Sequence, residues 1–179
     1  LGSFLLAAAL EHAPHASLWF PPAAVTFAGL FCVGWRAVPA LFVACVLGTW
    51  LTEASNNAGE VRLGVFAVSS LVFALIHTGA YALPAIVLRS IASHAPAELT
   101  LRAVSQFLLL GALGALLAAV LGTFGLSHTE LLDAPDLFEL AATWWIGDYA
   151  ALVTLAPVLA LLLRRVGGES GVRRFPPFE

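Results

Sequence analysis

The sequence predicts an all-α fold, a polytopic transmembrane helical bundle with about six spans visible and the first of them truncated. Three observations predict it. Hydrophobic residues make up 60% of the chain against 11% charged, with a mean hydropathy of +0.94. Charged residues divide the chain into uncharged runs close to the length of a membrane crossing. The arginines, in a chain without Lys, fall almost entirely on one side of those crossings. A soluble domain carries about 45–50% apolar and about 25% charged residues. The excess apolar surface cannot be hidden inside 179 residues, so lipid must cover it.

The first element is the apolar run Leu1 to Leu10, which has no charged residue ahead of it in a chain that contains no Met. Both features fit a cut partway through a helix, so the chain is expected to be a fragment. A signal peptide is the rival reading, but a basic leader is missing and His12–Pro14–His15 makes a poor cleavage site. The second run is Ala16 to Trp35, stopped by Arg36. Pro21 and Pro22 stand where its helix should begin, at positions where a missing N–H costs little. Ala37 to Thr52 is short for a span and ends at Glu53; it must stand nearly upright or lean on neighbours. Leu63 to Leu88 follows, between Arg62 and Arg89, with Pro84 inside it. Ala103 to Thr129 runs between Arg102 and Glu130, and Leu140 to Leu163 between Glu139 and Arg164, interrupted by Asp148. Pro84 and Pro157 should each kink a helix and free a carbonyl one turn upstream, near Ala80 and Val153.

Alternating spans place Arg36, Arg89, Arg102, Arg164, Arg165, Arg173 and Arg174 on one side and leave Arg62 on the other. The positive-inside rule makes the arginine-rich side, and with it the C-terminus, cytoplasmic. Glu11, Glu53, Glu60, Glu130, Asp133, Asp136 and Glu139 land outside. Gly111, Ala115, Ala118 and Gly122 recur on one face of the fifth span, where small residues let helices approach closely in lipid. Internal packing is the expected use of that face and a dimer contact the sharper one. Cys32 and Cys45 lack CxxC spacing or a His cluster and are expected to pack, with no disulfide and no metal.

Asp148 is the most informative residue. It lies nine positions past Glu139, about 13 Å along a helix and below the interface marked by Trp144 and Trp145. An aspartate at that depth costs about 2.5–3.5 kcal/mol and must face the bundle or a wet cavity. It is either a structural hydrogen-bond hub or a ligand-contacting, protonatable group, and the two roles are compatible. His77 and Tyr81, at i and i+4 on one helix face, form the second feature, read either as packing or as a switch. Haem or copper would want more His or Met across the bundle, so no cofactor is expected. No P-loop, HExxH, GxSxG or paired intramembrane carboxylates occur, so no catalytic residue is assigned. The arginines read as loop anchors, not as a nucleic-acid patch.

Several stretches carry a resemblance. Leu18-Trp19-Phe20-Pro21-Pro22, then Gly34-Trp35-Arg36-Ala37-Val38-Pro39 and Leu47-Gly48-Thr49-Trp50-Leu51, followed by Ile86-Val87-Leu88-Arg89, are joined by a late signature. That signature is Trp144-Trp145-Ile146-Gly147-Asp148-Tyr149-Ala150-Ala151-Leu152, then Ala156-Pro157. In order and spacing these resemble the membrane-associated sensor family called MASE1. The resemblance implies an integral-membrane sensory module at the N-terminus of a bacterial histidine kinase, diguanylate cyclase or related phosphodiesterase, in the inner membrane. On that footing residues 1–166 are the transmembrane sensory domain. Residues 167–179 are a cytoplasmic loop or linker leading to further spans and an output domain, since family members carry about eight spans. A homodimer through that output domain is implied by analogy. Many members carry a glutamate ahead of the arginine ending the fourth span. Here the stretch reads His77-Thr78-Gly79-Ala80-Tyr81-Ala82-Leu83-Pro84, which implies a different stimulus if that glutamate binds one.

The leading reading is therefore a sensory input module, whose partners are the lipid bilayer and a small-molecule or membrane stimulus. Asp148, upstream of Pro157 on the helix that exits to the cytoplasm, is the expected coupling point. The alternative is a small-molecule uptake component, such as a six-helix substrate-binding subunit of a vitamin transporter. An integral-membrane enzyme or scaffold comes third.

Overall fold

The computed structural model describes residues 2–9, 11–13, 16–56, 63–94, 100–128 and 136–166. The elements in chain order are α1 (Gly2–Ala9), a small antiparallel hairpin of β1 (Glu11–Ala13) and β2 (Ala16–Ser17), α2 (Pro21–Val33), a 3-10 turn (Gly34–Ala37) and α3 (Val38–Asn56). Then come α4 (Leu63–His94), α5 (Leu101–Ser127) and α6 (Leu137–Val166). The all-α membrane class stands.

The helix starts follow from local chemistry. Pro21 and Pro22 open α2 at positions that need no donor. Thr100 caps α5 by accepting from the Ala103 N–H at 3.2 Å. Asp136 caps α6 through Oδ1, which accepts from the N–H groups of Phe138 (2.9 Å) and Glu139 (3.1 Å). Helices α4 and α6 outrun the uncharged stretches of the sequence because Arg89, Glu139, Arg164 and Arg165 lie within them near their ends. Pro84 and Pro157 both sit inside uninterrupted helices.

The expected count of six spans exceeds what is seen. Four stretches are long and apolar enough to cross a membrane: Pro21–Thr52, Gly64–Ala92, Leu101–Ser127 and Leu137–Arg165. Helix α1, described over eight residues or about 12 Å, is not among them. The first long stretch is not one rod. The ring of Phe4 meets Phe20 at 5.8 Å and also lies against Gly48. In a straight helix residues 20 and 48 would stand about 42 Å apart. The chain therefore folds back at Gly34, whose φ of 81° is the left-handed backbone that glycine adopts without a Cβ clash. This makes α2 and α3 two antiparallel arms, as the sequence expected for its second and third runs.

Side-chain pairings fix the remaining directions. Thr26 meets His77 and Phe31–Cys32 meet Arg89, so α2 and α4 are parallel. Gly114 faces Tyr81 while Gly125 faces Ile76, so α5 runs opposite to α4. Gly122 against Trp144 and Gly111 against Leu152 set α6 antiparallel to α5. Arg36, Arg89, Arg102, Arg164 and Arg165 thus gather at one end of the bundle, with Asp136 and Glu139 at the other. Glu60, Arg62, Glu130, Asp133, Arg173, Arg174 and the whole of 167–179 lie outside the described residues.

Burial is arranged as a membrane demands. Leu75, Leu83, Leu109, Phe124 and Leu161 point outward, whereas Ser69, Ser70, His77, Thr78, Thr123 and Asp148 are buried. Interhelical contact is made through small residues, because Leu against Leu gains little over Leu against lipid tails. Gly111, Ala115, Ala118 and Gly122 of α5 are all buried within this one chain, which settles their use as internal packing. Cys45 is buried and Cys32 half-buried; both are free thiols, with Cys32 donating weakly to the Ala160 carbonyl at 3.8 Å.

Candidate functional site

Helix α6 presents Asp148 to the bundle interior, where the residue is 5% exposed. One phenol meets it: the Tyr81 hydroxyl on α4 donates to Asp148 Oδ2 at 2.5 Å. Tyr81 is fully buried, its ring edge seated where Gly114 leaves no Cβ; a methyl group there would stand 3.0 Å from Tyr81 Cδ1. Glycine in α5 thus makes room for the ring that α4 sends to α6.

One turn up α4, the His77 ring packs edge-on against Tyr81 at 4.9 Å between centroids. Its Nε2 faces Thr26 Oγ1 of α2 at 3.3 Å, so a proton on either atom completes the bond. Phe73, a further turn up, stacks on His77 at 5.2 Å and meets Trp144 of α6 edge-on at 5.9 Å. Phe20 closes the group, edge-on to Phe73 (6.3 Å) and to His77 (5.8 Å). The aromatic contacts are of the offset and edge-to-face kind that ring quadrupoles favour.

Of the residues singled out from sequence, the structure brings together Asp148, Tyr81, His77 and Trp144. It does not bring in the other two. Trp145 turns to the outer face, 38% exposed, with its Nε1 donating to the Ala112 carbonyl of α5 at 3.2 Å. Pro157 lies about two and a half turns below Asp148 on the exposed side of α6. Phe20, Thr26 and Phe73 were not singled out. Phe73 carried a readable signal, since Phe73, His77 and Tyr81 repeat at four-residue spacing along one helix face. Thr26 and Phe20 approach from α2, and no local pattern announces that. Among the described residues no three His, Cys, Asp or Glu side chains come together as a metal site would need.

The loop into α2 lies directly on α6. The Phe20 N–H donates to the Gly147 carbonyl at 3.1 Å, and Trp19 Nε1 donates to Thr154 Oγ1 at 3.1 Å. A Cβ at Gly147 would run into the Ser17 carbonyl oxygen. The two best-marked stretches of the sequence, Leu18–Pro22 and Trp144–Leu152, are therefore one contact surface in space, and Gly147 is there because backbone crosses backbone.

At the opposite end Arg89 secures the close of α2. Its Nη1 donates to the carbonyls of Phe31 (2.8 Å) and Cys32 (2.5 Å) in the last turn of α2. The Arg164 guanidinium of α6 stands over the Phe31 ring, 5.6 Å from its centroid.

Comparison with curated proteins and with solved structures finds no match. The family model described as MASE1 matches residues 1–177. A match over nearly the whole chain gives no support to the uptake-component reading, and it accords with a domain that receives signals and does not catalyse. This chain belongs to the MASE1 family, the membrane-associated sensory domains of bacterial signalling proteins.

Proposed function

We propose that this membrane sensory domain takes its stimulus at the Asp148–Tyr81 cluster and passes it along α6 to a cytoplasmic output domain of histidine kinase or diguanylate cyclase and phosphodiesterase type. One observation carries the reading: among the described residues, the buried Asp148 side chain on α6 is held by one phenol, that of Tyr81 from α4. Below that bond α6 continues from residue 148 to Val166, about 27 Å, to the arginine-bearing end of the bundle. By the positive-inside rule this end faces the cytoplasm. A stimulus that competes for Asp148, or strengthens its bond to Tyr81, binds the two helix arrangements with different affinity. That difference is what a two-state signal requires.

The test is made in the full-length protein, reading kinase autophosphorylation or cyclic dinucleotide turnover. Tyr81→Phe removes the bond and Asp148→Ala removes its acceptor, and the two should move basal output in the same direction. Output from both variants that matches the wild type across membrane compositions and candidate solutes would overturn the proposal.

A further inference from the structure

Five side-chain polar atoms are buried without a hydrogen-bond partner among the described residues: Thr49 Oγ1, Ser69 Oγ, Ser70 Oγ, Thr78 Oγ1 and Trp144 Nε1. Ser69 and Ser70 are wholly buried. In a membrane helix a hydroxyl has a ready refuge in the carbonyl one turn back. Thr52, Thr123, Thr143 and Thr154 all take it, donating to Gly48, Ala119, Glu139 and Ala150. The orphaned hydroxyls do not. Buried polar groups without partners are rare in native proteins, and each calls for a water, an ion or a ligand.

Four of the five share one layer. Ser69 and Ser70 stand one turn ahead of Phe73 on α4, and Phe73 meets Trp144. Cys45 of α3 packs in the same cluster as Ala74, so Thr49, a turn beyond Cys45, comes level with Ser70. This layer lies outward of the Asp148–Tyr81 bond, in the half of the bundle away from the arginines.

We infer that this layer is a binding site for a small neutral molecule of the carbonyl class, held by Trp144, Ser69, Ser70 and Thr49. The donor set decides the class. An indole N–H only donates, so it asks for an acceptor, and three hydroxyls can donate alongside it. None of the four is charged, and Asp148, one turn below Trp144, is already engaged by Tyr81. The rings of Phe20, Phe73 and His77 supply an aromatic flank suited to a flat guest. Two sources present this chemistry: a quinone headgroup arriving through lipid, and a water-borne aromatic ketone. The inference rests on the sensory reading and names what the sensor binds.

The experiment titrates the full-length protein in lipid nanodiscs with decylubiquinone as the lipid-borne probe and acetophenone as the water-borne probe. Thermal melting and tryptophan quenching are followed to saturation. At least one probe should bind saturably, and which one does identifies the source. Trp144→Phe should weaken that probe about tenfold, the loss of one buried hydrogen bond, and Ser70→Ala several-fold. Thr123→Ala, which removes a hydroxyl already bonded within its helix, should leave binding as it is. If Trp144→Phe does not fold, Ser69→Ala and Ser70→Ala decide the question. Absence of saturable binding by either probe overturns the inference, as does wild-type affinity in the variants, or an experimental map with only water on these atoms. The sensory reading fails separately: output altered by Asp148→Ala with no carbonyl probe bound leaves that reading standing and removes this one.

Discussion

Replacing Tyr81 by Phe takes away one oxygen and leaves the ring that Gly114 accommodates and His77 abuts. The packing term is therefore almost unchanged, and what is lost is the bond to Asp148. Hydrogen bonds to charged groups in water-soluble proteins are worth about 1.5–3 kcal/mol. Interhelical bonds measured in a membrane bundle average about 0.6 and reach about 1.7 kcal/mol, because the unfolded state in lipid finds other partners. Asp148 is buried at 5% exposure, so the upper part of the membrane range applies and Tyr81→Phe should cost about 1–1.7 kcal/mol. The assay is a double-mutant cycle with Asp148→Ala, which leaves no acceptor at that position, reading unfolding of the chain in mixed micelles. Pairs that do not interact add within about 0.3–0.5 kcal/mol. A coupling near 1 kcal/mol or above is expected. Additivity within that error would refute the claim that the Tyr81–Asp148 contact bears on stability, however short it is.

Two glycines of α5 should respond oppositely to the same methyl group. At Gly111 a Cβ would sit 3.8 Å from Leu152 and 3.9 Å from Tyr149, ordinary contact distances, so Gly111→Ala should be neutral or stabilise by up to about 1 kcal/mol. At Gly122 the Cβ would stand 2.8 Å from the Trp144 ring, and Gly122→Ala should destabilise by about 1–3 kcal/mol in a thermal melt. Reporter fusions test the side assignment. A cytoplasm-active fluorescent protein joined after Arg165 should be bright and a periplasm-active phosphatase there silent, with the reverse result for fusions in the segment between α3 and α4.

The membrane class, the helical runs and their alternation were legible because lipid imposes a coarse rule, a long uncharged run for each crossing, that composition alone displays. The fold-back at Gly34 was legible through Arg36, which closes one run before the next begins. The count of about six, which took Leu1–Leu10 as the end of a truncated span, is slightly more than the four long apolar stretches among the described residues, where the Phe4 ring of α1 lies against Phe20 and Gly48. Asp148, Tyr81 and His77 stood out as polar groups in apolar runs, and burial brought them together. Trp144 and Trp145 are adjacent in sequence but about 100° apart around the helix, so only one of the two could join the site. Phe20 stood in the recognisable stretch Leu18–Pro22, but its part in the site, like that of Thr26, depends on how α2 and its lead-in lie against α4 and α6, a long-range fact that no local spacing encodes. The silent groups Ser69 and Ser70 escaped for a related reason: serine in a membrane helix is unremarkable until its hydroxyl is found without a partner.

At the arginine-bearing end of the bundle the close of α2 is gripped from two sides. Two charge-assisted bonds tie the close of α2 to α4, so those helices shift as one body there. Helix α6 holds the same turn from its own side: the Arg164 guanidinium stands over the Phe31 ring and the Cys32 thiol donates weakly to the Ala160 carbonyl. Because α4 and α6 both hold Phe31 and Cys32, a displacement of either helix at this end is felt by the other through the close of α2.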